Sequence, residues 1–155
     1  MSTKTPAVSV LMPVYNRQEL VAEAIRSIQG QTFEDWELII LDDRSTDRTQ
    51  EVCHAFAAED HRITVHSNPS NLGVGESRNR LLGLAKGELL AVQDSDDESL
   101  PERLSLEVEI LKAHPDVGLV SGVAAFLDDN GEVFSYYPEQ LHMGKLCIVL
   151  IISWH

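Results

Sequence analysis

The strongest constraint on the fold is an alternation that runs through most of the chain. Short apolar runs are separated by segments whose apolar residues recur at helical spacing. The first run, Val8-Ser9-Val10-Leu11-Met12-Pro13-Val14, is almost without polar residues, which predicts a central strand buried on both faces. Over residues 19–28, Leu20, Val21, Ala24, Ile25 and Ile28 fall on one helical face, with Asn16 as the expected N-cap and Gly30 as the stop. Residues 36–41 predict a second strand. Ser45 or Thr46 then caps a helix to about Ala58, with Val52, Ala55 and Phe56 among its apolar positions. Residues 62–66 predict a third strand, and a helix over 75–85 carries Leu81, Leu82 and Leu84. Residues 88–93 predict a fourth strand. Pro101 opens a helix to about Ala113, which His114-Pro115 stops. Residues 117–121 read as a fifth strand, and 124–127 with 132–136 as a hairpin turning at Asp129-Asn130-Gly131.

Strands alternating with helices of this length predict an α/β fold: a mostly parallel sheet flanked by helices, of the nucleotide-binding, Rossmann-like type. With 155 residues and no repeat or linker, the chain reads as a single domain over 1–155. Its net charge of −13 argues against a nucleic-acid partner and against docking on anionic lipid through a basic patch. Cys53 and Cys147 are far apart and in no metal-ligand spacing, as expected of ordinary reduced thiols. The polar start, Met1 to Pro6, has no signal-like apolar region, and the apolar run near the C-terminus is far shorter than the ~20 residues of a membrane span. The expected location is the cytoplasm, or the inner face of a membrane as a peripheral protein.

Chemistry concentrates at the strand exits, which share one edge of a parallel sheet and are where open α/β sheets bind ligands. Asp94-Ser95-Asp96-Asp97 follows the fourth strand. Three carboxylates so close repel each other and need water, a cation or a basic partner. Helix capping explains one or two of them. A short D-x-D at a strand exit also suits Mn2+ or Mg2+, which take one or two carboxylates and complete their shell with phosphate oxygens and water. Asp42-Asp43 follows the second strand, where it serves as a turn or as acceptor for a base or ribose. Tyr15 follows the first strand, as core filler or as a stacking platform. Arg78 and Arg80 lie early in the third helix, against its macrodipole. Phosphate binding would justify Arg78, whereas Arg80 reads as part of a solvated face. There is no G-x-G-x-x-G after the first strand, no G-x-x-x-x-G-K-[ST], no G-x-S-x-G and no paired-histidine metal spacing.

These residues carry a family pattern. Val8 through Arg17, Gln31 through Asp47, Asn71-Leu72-Gly73, Ser77-Arg78-Asn79 and Gly87 through Asp97, taken in order, resemble a family 2 glycosyltransferase of the GT-A fold. The resemblance covers residues 7–128, the donor-binding core, and leaves 129–155 as an atypical C-terminal segment. It implies an inverting transfer of a sugar from a nucleoside diphosphate donor, UDP-linked, to a glycan, lipid or other acceptor hydroxyl. By that likeness Pro13, Val14 and Tyr15 border the base and ribose, and Asp43 hydrogen-bonds the base. Arg78 lies near the donor phosphates, Ser95 and Asp96 touch ribose or diphosphate, and Asp97, with Asp96, ligates Mn2+ or Mg2+. Arg44 stands where such enzymes commonly have glycine.

The family's general base lies on the acceptor side, well beyond the acidic run. The stretch after Asp97 is too short for the usual acceptor half, so no base is assigned, and Asp128 and Asp129 read as turn residues. The apolar residues within 145–155 require cover from the core, a missing segment, or a partner chain or second copy. A truncated or non-catalytic nucleotide-sugar-binding module is therefore the rival expectation. A receiver-like signalling domain would need a lysine after the fifth strand, and none follows residues 117–121.

Overall fold

The computed structural model describes residues 5–120, 124–127, 133–137 and 151–153. The elements are β1 (Val8–Val14), α1 (Val21–Gln29), β2 (Trp36–Asp42), α2 (Thr49–Glu59), β3 (Ile63–Ser67), α3 (Val74–Leu84), β4 (Leu89–Val92), α4 (Arg103–Ala113), β5 (Leu119–Val120), β6 (Ala124–Leu127), β7 (Val133–Tyr137) and β8 (Ile151–Ser153). The main sheet has the order β3-β2-β1-β4-β8-β5. Strands β3, β2, β1 and β4 are mutually parallel, and β8 runs antiparallel to both β4 and β5. The mixed α/β architecture with a parallel four-strand centre is the one the alternation predicts. Strands β6 and β7 pair as the expected hairpin, whose turn lies outside the described residues.

All of β1 and β2 is buried, because helices cover both faces. Val8, Val10, Met12 and Val14 pack with α1 (Val21, Ala24, Ile25, Ile28), with Cys53 of α2 and with Leu104 and Val108 of α4. On the opposite face Leu11, Ile39 and Leu41 pack with Leu81 of α3. Near the start of the strands on that face, Ser9 donates to Glu37 (2.7 Å), its cross-strand neighbour. The backbone amides of Lys86 and Gly87 close on this pair at 2.8–3.1 Å. A Cβ on Gly87 would sit 2.6 Å from the Ser9 nitrogen, so the chain approaches β1 more closely than any side chain allows.

Pro13 is tolerated in a central strand for a geometric reason. The last bond between β4 and β1 runs from Gln93 N–H to the Leu11 carbonyl. Hydrogen-bonding sides alternate along a strand, so Pro13 faces the same side as Leu11, beyond the point where β4 has left the sheet. The two strands therefore part above Leu11. That gap lies between β1 and β4, where the strand order reverses, and it is the topological switch point of the sheet.

Several local expectations need correction. Asn16 does not cap α1, whose N-cap is Leu20 with no side-chain bond. Ser45 and Thr46 do not cap α2, whose N-cap is Arg48. These side chains are used between loops instead. Asn16 N–H donates to Ser45 Oγ (3.0 Å), and Thr46 N–H donates to Asn16 Oδ1 (2.8 Å). Asp47 takes the first-turn donors of α2, accepting from Thr49 N (3.0 Å) and Thr49 Oγ1 (2.6 Å). Ala55 is exposed and Cys53 is buried in its place. Leu82 is also exposed. The apolar C-terminal run is partly taken up by the sheet itself, since Ile151–Ser153 forms β8 between β4 and β5. Among the described residues no helix is long and apolar enough to cross a membrane.

Candidate functional site

The gap between β1 and β4 opens into a cleft of about 320 Å³. Its walls come from four separate parts of the chain. The β1 exit supplies Pro13, Val14, Tyr15 and Arg17, and the β2 exit supplies Asp43. Helix α3 supplies Val74, Ser77 and Arg78, and the loop after β4 supplies Asp94, Ser95 and Asp96. Of the site residues expected from the sequence, Pro13, Val14, Tyr15, Asp43, Arg78, Ser95 and Asp96 are brought together here. Asp97 is not among the lining residues.

Asp43 is buried, and its carboxylate is already engaged. Oδ1 accepts from Asn68 Nδ2 (2.6 Å) and Leu72 N (2.8 Å), and Oδ2 accepts from Gly73 N (2.7 Å). Burial alone would push this carboxyl up, but hydrogen bonds from Asn68, Leu72, Gly73 and Ser77 outweigh it and hold the group below the usual carboxylate range. Asp43 thereby fixes the loop that launches α3. Gly73 is the N-cap there at φ 84°, a backbone region that favours glycine. Arg78 follows one turn into the helix. Arg80 is exposed, as a solvated face expects, yet its Nη1 donates to Asn68 Oδ1.

Two arginines each pair with one acid of the loop. Arg78 Nη2 pairs with Asp94 Oδ1 at 2.7 Å, and Arg17 Nε pairs with Asp96 Oδ2 at 3.1 Å. Arg17 Nη1 also donates to the carbonyl of Asn16 (3.2 Å). Asp97 is exposed and does not line the cleft. Partial desolvation, followed by the charges of Asp94 and Asp96, pushes its carboxyl up, and Arg103 opposes the shift. The crowding expected from three adjacent carboxylates is therefore present. Among the described residues no group of three or more His, Cys, Asp or Glu side chains forms a closed metal cage. The acidic loop brings two carboxylates to the cleft, Asp94 and Asp96, which fits a hard cation that takes its remaining ligands from phosphate and water.

Arg44 adopts φ 66° and Asn16 φ 50° on the two loops tied together beside the cleft. A left-handed arginine costs about 1 kcal/mol relative to glycine.

Sequence reasoning missed Arg17, Gln93 and Arg103. Arg17 carried a visible signal, a cation three residues past a central strand. The other two did not. Gln93 is buried at the end of the fourth apolar run, and its partner Arg103 is buried ten residues later.

Comparison with known proteins places the same stretch of chain in one group. Residues 9–147 match the family model described as glycosyl transferase family 2. The uncharacterized glycosyltransferase MJ1057 of Methanocaldococcus jannaschii is 35% identical over 142 residues, covering 90% of this chain and 49% of that protein. The chain spans about half the length of the curated relatives it matches. Among solved structures, the mannosyltransferase PcManGT from Pyrobaculum calidifontis, in complex with GDP-Man and Mn2+, superposes with a TM-score of 0.70 at 29% identity, over 77% of this chain and 36% of its own. TarS 1-349 from S. aureus, in complex with UDP, gives a TM-score of 0.68 at 26% identity, over 83% of this chain and 38% of its own.

Proposed function

The chain belongs to glycosyl transferase family 2, and from that premise we propose that it is the donor-binding part of an inverting, metal-dependent enzyme. The reaction moves a sugar from a nucleoside diphosphate to an acceptor hydroxyl on a glycan or lipid. The observation that carries this reading is the convergence of the β1 exit, Asp43, Arg78 and the acidic loop on one cleft at the switch point of the sheet. Two proteins of matching fold hold UDP or GDP-Man, which supports a nucleoside diphosphate as the ligand class.

Each side chain then has a task. Pro13, Val14 and Tyr15 form the wall for base and ribose, with Tyr15 exposed enough to stack on a base. Asp43 borders the base while its hydrogen bonds keep the loop from Asn68 to Gly73 in place. Arg78 leaves Asp94 for the diphosphate, trading a surface ion pair for a more highly charged partner. Ser95 and Asp96 face the ribose and diphosphate. Mn2+ or Mg2+ fits this oxygen donor set, with Asp96 as the first ligand because it lines the cleft, and its neighbour Asp97 as the second. When bound, such a cation offsets the charge that develops on the departing diphosphate. The base that would activate the acceptor hydroxyl is not assigned to any described residue.

Calorimetric titration of UDP into the protein tests the reading. Saturable binding with Mn2+ is expected, strongly weakened by EDTA or by Asp96→Ala. No binding of UDP or GDP with either metal would sink the donor assignment. Binding indifferent to EDTA and to Asp96→Ala would sink the metal. Slow donor hydrolysis by the bound protein separates an enzyme from the rival, a non-catalytic binding module.

A further inference from the structure

We propose that Gln93 is a positioning residue whose side-chain amide, oriented from below by Arg103, sets the shape of the acidic loop. The inference rests on the donor reading above and deepens it. Gln93 is 1% exposed and is the last residue before the loop. Its Nε2 donates to the carbonyl of Asp94 (3.0 Å) and to that of Asp97 (2.7 Å), so one amide staples both ends of the acidic run. Its Oε1 accepts from Ser99 Oγ (2.5 Å) and Arg103 Nη1 (2.8 Å). Both donors and both acceptor sites of the amide are therefore used.

The direction of the amide is dictated, because a guanidinium can only donate. With Arg103 beneath it, Gln93 must turn its oxygen down and its NH2 up toward the loop carbonyls. Arg103 is itself fixed. Its Nη2 donates to the Val92 carbonyl (2.9 Å), Nη1 also reaches Ser99 Oγ (2.8 Å), and Nε pairs with Glu107 (3.2 Å). This pair is 2% and 0% exposed. Among the described residues Glu107 Oε2 has no hydrogen-bond partner. Apolar residues would stabilise such a position at least as well as a buried ion pair. Its presence under the acidic loop is better accounted for by orientation than by stability. Neither Gln93 nor Arg103 lines the cleft, so both act through the loop.

Gln93→Glu isolates the staple. The new carboxylate still accepts from Arg103 and Ser99, but its second oxygen meets the carbonyls of Asp94 and Asp97 without a proton to share. UDP binding is titrated against Mn2+ on the full chain, well below the melting temperature of each variant. The Mn2+ concentration for half-maximal UDP binding should rise about tenfold or more, as when partners behind metal ligands are removed elsewhere. Ser99→Ala, a milder change that removes one support of Oε1, should raise it about threefold and serves if the first variant does not fold. A purely structural role would lower the melting temperature and leave this half-saturation point where it is. Unchanged half-saturation in a folded variant, with wild type binding normally, overturns the inference alone. Failure of wild type to bind UDP with Mn2+ overturns the donor reading and this inference with it.

Discussion

Asp43 and Asp96 are both acids on the cleft wall, and the structure gives them opposite consequences on mutation. Asp43→Asn keeps the shape but replaces one oxygen with an NH2 group. If the amide oxygen takes the place of Oδ1, it still accepts from Asn68 and Leu72, and the NH2 then faces the Gly73 N–H across 2.7 Å, donor against donor. One charge-assisted bond is lost and two fall from charged to neutral strength, together about 3–4 kcal/mol at a buried site. For a domain of this size that is a fall of roughly 10 °C in melting temperature. Asp96→Asn touches only a pair with Arg17 in which both side chains are 42% exposed. An exposed pair contributes about 0–1 kcal/mol, so its melting temperature should stay within a few degrees of wild type. Urea unfolding and thermal melts in the absence of nucleotide measure both. Metal-dependent UDP binding should be lost in folded Asp96→Asn. A melting temperature for Asp43→Asn close to that of wild type would refute the view that this carboxylate holds the loop.

Two further outcomes follow from packing and charge away from the cleft. Asp60 is pushed down to about 2, chiefly by its bond with Arg62, whose guanidinium lies 3.7 Å from the centre of the Trp36 ring. Its pKa is depressed in the folded state, so the associated stability is present above the unfolded value of 3.8 and is lost as pH falls toward 2. Removing the acid with Asp60→Asn should flatten the acid limb of a stability–pH curve by about 2 kcal/mol, and an unchanged limb would count against the assignment. Gly87→Ala should destabilise by about 2 kcal/mol or more in urea unfolding, because the added methyl meets backbone atoms of Val8 and Ser9 at 2.8 and 2.6 Å. Wild-type stability there would contradict the close approach.

What the sequence could and could not disclose follows from where each signal is stored. The strands of the parallel sheet were readable because a strand covered on both faces must be mostly apolar, and β1 and β2 carry only Ser9, Glu37 and Asp42 as polar residues. Their exits, and hence the cleft, followed from direction alone. Helix starts were misread for a different reason. Asn16, Ser45 and Thr46 have the chemistry of caps, but their partners lie about thirty residues away in the other loop. Local pattern cannot distinguish a cap from a cross-loop bond. Arg103 and Glu107 were hidden more completely, since an i,i+4 pair of opposite charges on a helix has the pattern of a solvated face. The apolar C-terminal run announced that it needed cover, but not that part of it would enter the sheet between β4 and β5.

A chain of net charge −13 is an unpromising host for a polyanionic ligand. The cleft shows how local arrangement overrides the total. Arg17 and Arg78, among the few cations of the chain, both line it, and each is paired with one acid of the loop. The wall toward the ligand is thus close to neutral before anything binds. Both pairs are largely solvent-exposed, and exposed pairs are weak enough to exchange partners. Under the proposed donor reading, a diphosphate would draw the arginines away while a cation would take the acids they leave. Deeper in the loop the same bookkeeping is fixed instead of exchangeable. Arg103 is buried and bound at Gln93, Ser99, Val92 and Glu107, and its charge acts on Asp97 from that fixed place. Two exposed cations on the open face and a buried one behind it let three neighbouring carboxylates persist at a strand exit.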